Sequence, residues 1–187
     1  MRIPEWLRNS LMKKALAIAI SRPPDLVIGP RDNPYLHRWH VLPKNDIFNI
    51  YLHFFFRPDD DRALHDHPWL NMSILVGGGY VEHVPDQAAI KRNRERDLRK
   101  ILGGGYQPHE TVGVIGIERK QGYIYVRGAR AKHRIELVPG APKPTTFFIT
   151  GPKVREWGFW CPQGFVHWRK FTAELPGQSI VGPGCDQ

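Results

Sequence analysis

A succession of short runs rich in β-branched and aromatic residues, each closed by a turn signal, most constrains how this chain can fold. The runs are 37–42, 47–57, 71–76, 80–84, 111–118, 123–126, 133–138, 145–150, 155–161 and 165–169. Between them lie Pro43-Lys44-Asn45, Gly77-Gly78-Gly79, Lys120-Gln121-Gly122, Pro139-Gly140 and Pro162-Gln163-Gly164. Many short strands at near-regular spacing close into a sandwich or barrel. At 187 residues the chain suits one domain around a single core.

Helical periodicity shows only at the start. Trp6, Leu7, Leu11, Ala15 and Ile18 recur at helical spacing, Pro4 suits a first turn, and Pro23-Pro24 ends the pattern. Residues 1–24 are therefore expected to be an amphipathic helix packed on a barrel of residues 25–175. Residues 85–110, polar, basic and ending in Gly103-Gly104-Gly105, interrupt the strand series and read as an insertion. Residues 176–187, with Pro176, Pro183 and three glycines, read as a flexible tail.

Charge and cysteines limit the function classes. The net charge of +9 is concentrated partly in the run 91–100. That run could meet phosphates, but no aromatics are interleaved with it for stacking, so nucleic acid is not the favoured partner. No apolar run is long enough to cross a membrane, and no secretory signal is read. Cys161 and Cys185 form no CxxC pair, which argues against a cysteine zinc site. They could form one disulfide, but reduced thiols and a cytoplasmic location are the simpler expectation.

The chemistry-bearing stretch is His65-Asp66-His67, followed by Asn71. On a strand, residues two apart share a face, so both imidazoles could enter one pocket. Asn71 keeps that parity if the strand runs on past Pro68. Asp66 points the other way, either exposed or supporting a neighbouring donor. His133 opens a later strand and could face the pair as a third ligand. Three neutral nitrogens would leave a metal open to water or substrate.

With these residues in view, the stretches 59–80 and 122–137 resemble the two cupin motifs. The first, G-x5-H-x-H-x3-4-E-x6-G, is matched by His65, His67 and Gly78, with Asp59 at the first glycine and Asn71 at the glutamate. The second, G-x5-P-x-G-x2-H-x3-N, is matched by Gly122 and His133, with Gly128, Arg130 and Leu137 at the other places. The resemblance implies a cupin-type double-stranded β-helix, or jelly-roll, barrel with an N-terminal helix. It implies metal ligation by His65, His67 and His133. With Asn71 replacing the usual carboxylate, the set resembles the three-histidine thiol dioxygenase branch. Iron(II) is the expected metal, with zinc, nickel and manganese as alternatives.

Three neutral ligands leave the 2+ charge of the ion uncompensated, which favours an anionic small molecule. Arg127 or Arg130 could clamp its carboxylate, Asn71 could position water, oxygen or substrate, and Tyr125 could assist beside the metal. His53 shares a strand face with Asn49 and Tyr51 and reads as a pocket wall or a barrel histidine. The aromatic stretch 155–168 reads first as a core-closing hairpin and second as a homodimer interface. The first functional expectation is a mononuclear non-haem metal enzyme of dioxygenase type. The alternatives are a non-catalytic module holding a metal or ligand, and a metal-free isomerase using His133 with Tyr125.

Overall fold

Alternation along the strands sorts the side chains into two apolar layers, one on each face of a large sheet. In the computed structural model, which describes residues 1–58, 63–88, 90–91 and 113–185, that sheet runs β13-β14-β1-β2-β3-β10-β5-β8. Its members are β1 (Leu26–Ile28), β2 (Leu36–His40), β3 (Asn49–Phe55), β5 (Asn71–Gly77), β8 (Tyr123–Arg127), β10 (Thr145–Thr150), β13 (Thr172–Leu175) and β14 (Gln178–Val181). Two smaller sheets, β12-β11-β4 and β7-β6-β9, use β4 (Leu64–His65), β6 (Gly79–Pro85), β7 (Val114–Lys120), β9 (Arg134–Glu136), β11 (Gly158–Cys161) and β12 (Gly164–His167). Asp59, residues 92–112 with most of the basic run, and Gly103-Gly104-Gly105 lie outside the described residues.

The two small sheets meet at the residues of interest. His65 and His133 form an antiparallel bridge, each amide donating to the other's carbonyl at 2.9 Å. The bridge joins β4 to the start of β9 and makes one second wall. Leu36, Phe55 and Leu75 from the large sheet pack with Tyr80 and Ile135 from that wall. This closes a double-stranded β-helix, as the succession of short strands predicts.

The outer face of the large sheet carries the other parity. Trp39, Leu52, Val76 and Phe147 form a second layer, covered by helix α1 (Glu5–Ser21) through Leu11, Met12, Ala15, Ile18 and Ala19. These helix positions recur every three to four residues, which gives one stripe along the helix. Trp6, expected on that stripe, is instead 71% exposed.

The chain passes from one wall to the other at Gly78, between β5 and β6. Its φ of +62° is one that side-chain-bearing residues avoid, and a Cβ there would collide with the Pro142 carbonyl oxygen. The glycine turn expected at 77–79 is thus a corner between sheets.

Two expectations are corrected. The tail beyond Pro176 contains strand β14, which pairs antiparallel with β13 and parallel with β1, Val27 opposite Gln178. One of its two partners, β1, lies far away in sequence, so local composition concealed it. The cysteines are not free thiols: Cys161 and Cys185 are joined as a disulfide, with Cα atoms 5.5 Å apart. The bond sits in an apolar cluster with Ala63, Phe159 and Phe171, the last on the short helix α2 (Trp168–Phe171). No helix among the described residues is long and apolar enough to cross a membrane.

Candidate metal centre

His65, His67 and His133 converge as their spacing predicts. One ligand-capable atom of each lies within 4.8 Å of the others. The ring centroids of His133 stand 4.7 Å from His65 and 5.1 Å from His67. His65 and His67 face one centre without sharing one strand. β4 ends at His65, His67 lies beyond it, and Asn71 opens a strand of the other wall. The backbone bridge to His133 fixes His65, while His67 is held among Trp69, Phe148 and Trp157 at centroid distances of 5.6–6.3 Å.

The protonation states suit ligation. Burial pushes the imidazoliums of His65 and His67 well below their usual pKa, and their neighbours His133 and Arg127 push further in the same direction. His133 is lowered by burial too, although Glu82 opposes the shift. Its Nδ1 lies 2.8 Å from Oε1 of Glu82. A carboxylate accepts only, so a proton on Nδ1 would face Glu82 and would leave the Nε2 lone pair to the centre. Nε2 of His133 is 2.9 Å from Nε2 of His67. Two nitrogens bound to one ion at about 2.1 Å and at right angles would stand about 3.0 Å apart. The donor set therefore fits a divalent ion, with a carboxylate behind one ligand to set its tautomer.

Glu82 is the residue that sequence reasoning missed. It is fully buried in β6, where it accepts from Arg119 Nε at 2.6 Å and from Arg127 Nε. Burial pushes its carboxyl up, but His133 and Arg127 outweigh that and hold it well below the usual carboxylate range. The available signal was its parity with Tyr80, an inward position for a charge.

The remaining sequence-predicted residues separate. Arg127 is buried and already engaged, donating to Glu82, to Ser73 Oγ at 3.2 Å and to the Tyr80 hydroxyl at 3.3 Å. Arg130 is exposed on the loop after β8. The Tyr125 hydroxyl binds the Lys120 backbone, accepting from its N–H at 2.8 Å and donating to its carbonyl at 3.2 Å. Asn71 is buried, and its Oδ1 has no hydrogen-bond partner among the described residues. Asp66 is 1% exposed, so of its two expected roles it takes that of supporting neighbouring donors. It accepts from Arg155 Nη1 at 2.6 Å, Gly158 N at 3.0 Å and Trp160 Nε1 at 3.2 Å. It thereby ties the backbone between the two histidines to β11.

No protein-family model matches the chain. No curated protein matches it either. Solved structures do. An Fe(II)-HppE with an alternative substrate, (S)-1-HPP, is similar at 10% identity and a TM-score of 0.43, over 65% of this chain and 53% of that one. The chain thus spans about half the length of that enzyme. A Klebsiella pneumoniae protein with a double-stranded β-helix domain is similar at 13% identity and a TM-score of 0.43, over 71% and 90% of the two chains. A cupin-like protein from Thermotoga maritima is similar at 12% identity and a TM-score of 0.45, over 80% and 93%. Likenesses of this depth say nothing of substrate or chemistry, and the barrel itself stands on its own strand order.

Proposed function

We propose that this chain is a mononuclear metal protein in which His65, His67 and His133 hold a divalent ion, iron(II) first. We further propose that it is an oxidoreductase of dioxygenase type acting on a small anionic molecule. The observation that carries the reading is the convergence of three neutral imidazoles, one buried and two half-buried, with a buried carboxylate beside the buried one. Bound there, the ion would supply Lewis acidity and, as iron(II), an electron source for oxygen.

The chain's own residues do the rest. Glu82 holds His133 in the ligating tautomer, and Arg127 and Arg119 keep Glu82 charged. Asn71 offers a buried amide oxygen to a bound water or substrate donor. Trp157 and Phe148 border His67 and keep bulk water from it. The disulfide moves the proposed compartment from the reducing cytoplasm to an oxidising one.

The test is metal analysis of purified protein after anaerobic reconstitution with iron(II), zinc, nickel and manganese in turn. One ion per chain in nitrogen-rich coordination is the expected result. No stoichiometric metal in any arm would sink the reading. Oxygen uptake by the iron form across small thiols and acids then separates a catalyst from a binder.

A further inference from the structure

A second polar cluster stands inside the barrel, on β2 and β3. Arg38 lies directly opposite His53, and opposite residues of an antiparallel pair share a face. Its Nε donates to Nε2 of His53 at 2.9 Å, and its guanidinium carbon lies 4.9 Å from the centroid of the Tyr51 ring. Phe148 continues that wall toward the metal centre, 5.4 Å from His53 and 5.6 Å from His67. The charge of Arg38 also reaches His67, where it adds to the forces keeping that ring neutral.

What sets Arg38 apart is its lack of a counter-charge. Arg127 is matched by Glu82, and Glu82 is fully used by Arg127, Arg119 and His133. Among the described residues Arg38 forms no ion pair, and its Nη1 and Nη2 make no hydrogen bond. Its partner His53 is 4% exposed and held neutral by burial, so it offers a lone pair and no charge. A guanidinium cannot shed its proton to escape burial. A divalent ion at the histidines would add positive charge to the same interior.

We infer that Arg38, seated on His53 and Tyr51, is an anion-binding subsite facing the histidine triad, and that it takes the carboxylate of a small molecule. With Nε committed to His53, the Nη1/Nη2 edge is left, and that fork matches two carboxylate oxygens. The neighbouring rings favour a planar group: Tyr51 is within 8° of parallel to His53 and 19° of Phe148. This deepens the proposed function by naming the ligand class, and it rests on that reading only for the end of the ligand that meets the metal.

The experiment is titration of metal-free protein with malonate, succinate and inorganic phosphate, followed by NMR of the histidine ring resonances. Wild-type protein should bind a dicarboxylate more tightly than phosphate and shift the His53 signals. Arg38→Gln should weaken that binding by about tenfold or more, and Arg38→Lys, which keeps charge without the fork, by a smaller factor. Equal binding by wild type and Arg38→Gln, no dicarboxylate binding by wild type, or tighter binding of phosphate would each overturn the inference. Should Arg38→Gln fail to fold, Arg38→Lys decides: unchanged affinity overturns it and a severalfold loss upholds it. Protein that takes no metal yet binds dicarboxylate through Arg38 would sink the metal reading and uphold the subsite.

Discussion

Oε1 of Glu82 lies 2.8 Å from Nδ1 of His133, from opposite edges of a strand pair that the sequence separates by a long insertion. Nδ1 of His133 thus faces Glu82, while its Nε2 faces His67. Glu82→Gln should keep the shape and lose that control, lowering metal affinity about 10- to 100-fold. Competition with a chromogenic chelator measures it. His133→Ala should abolish stoichiometric binding, and full retention there would move the third ligand elsewhere.

The same carboxylate carries structural weight, because removing it strands a buried guanidinium. Glu82→Leu should destabilise the fold by about 3–5 kcal/mol through the uncompensated Arg127. Pairing it with Arg127→Met should recover part of the loss. Urea unfolding of the single and double variants reads the coupling, and additive losses would show that the two residues act independently.

Acid should unfold the metal-free protein early. His53, His65 and His67 are held well below their ordinary value of 6.5 in the fold, so below that pH the unfolded chain binds more protons than the folded one. Stability is therefore full above pH 6.5 and falls as the pH drops through that value toward the lower folded pKa values. Three such groups give a slope of up to about 4 kcal/mol per pH unit. Urea midpoints at pH 7.5, 6.5 and 5.5 test it, and a flat profile would show that the rings are not held neutral.

Asp66 predicts an effect that ligand mapping alone would miss. Its side chain accepts three hydrogen bonds, none from the triad, that anchor the His65–His67 backbone to β11 and the loop before it. Asp66→Ala leaves those donors unpaired and should cost about 3 kcal/mol. Metal affinity should fall with it, because the two histidines lose their fixed spacing. Unchanged metal binding with lowered stability would confine Asp66 to the fold.

Reduction should loosen the last strands. The disulfide closes a loop with a sequence separation of 24, worth about 3 kcal/mol on chain entropy. Dithiothreitol, or Cys161→Ala with Cys185→Ala, should lower the urea midpoint and speed amide exchange in β14 first. An unchanged midpoint would show the bond to be incidental.

The triad was legible in the sequence because its signals are local: a His-x-His pair beside a turn, and a histidine a short way after Gly122. The barrel was legible for the same reason, since strand alternation and turn residues are short-range. Glu82 and Arg38 were not, because what gives them meaning is the partner across the barrel. Arg38 looks like any strand arginine until His53 stands opposite it without a carboxylate. Arg127 drew attention by lying near His133, and only Glu82 shows that its charge is already taken. Asn71 is buried at the start of β5, not on a continuation of the His65 strand, a path the sequence did not show.

The parallel pairing of β1 with β14 sets an order of events during synthesis. Val27 emerges from the ribosome long before Gln178, the residue it must stand beside. Until then β1 has only β2 as a neighbour, and its other edge offers open amides and carbonyls to any passing strand. The large sheet can thus be sealed only after Gln178 has been made, and the β1 edge stays unpaired until then.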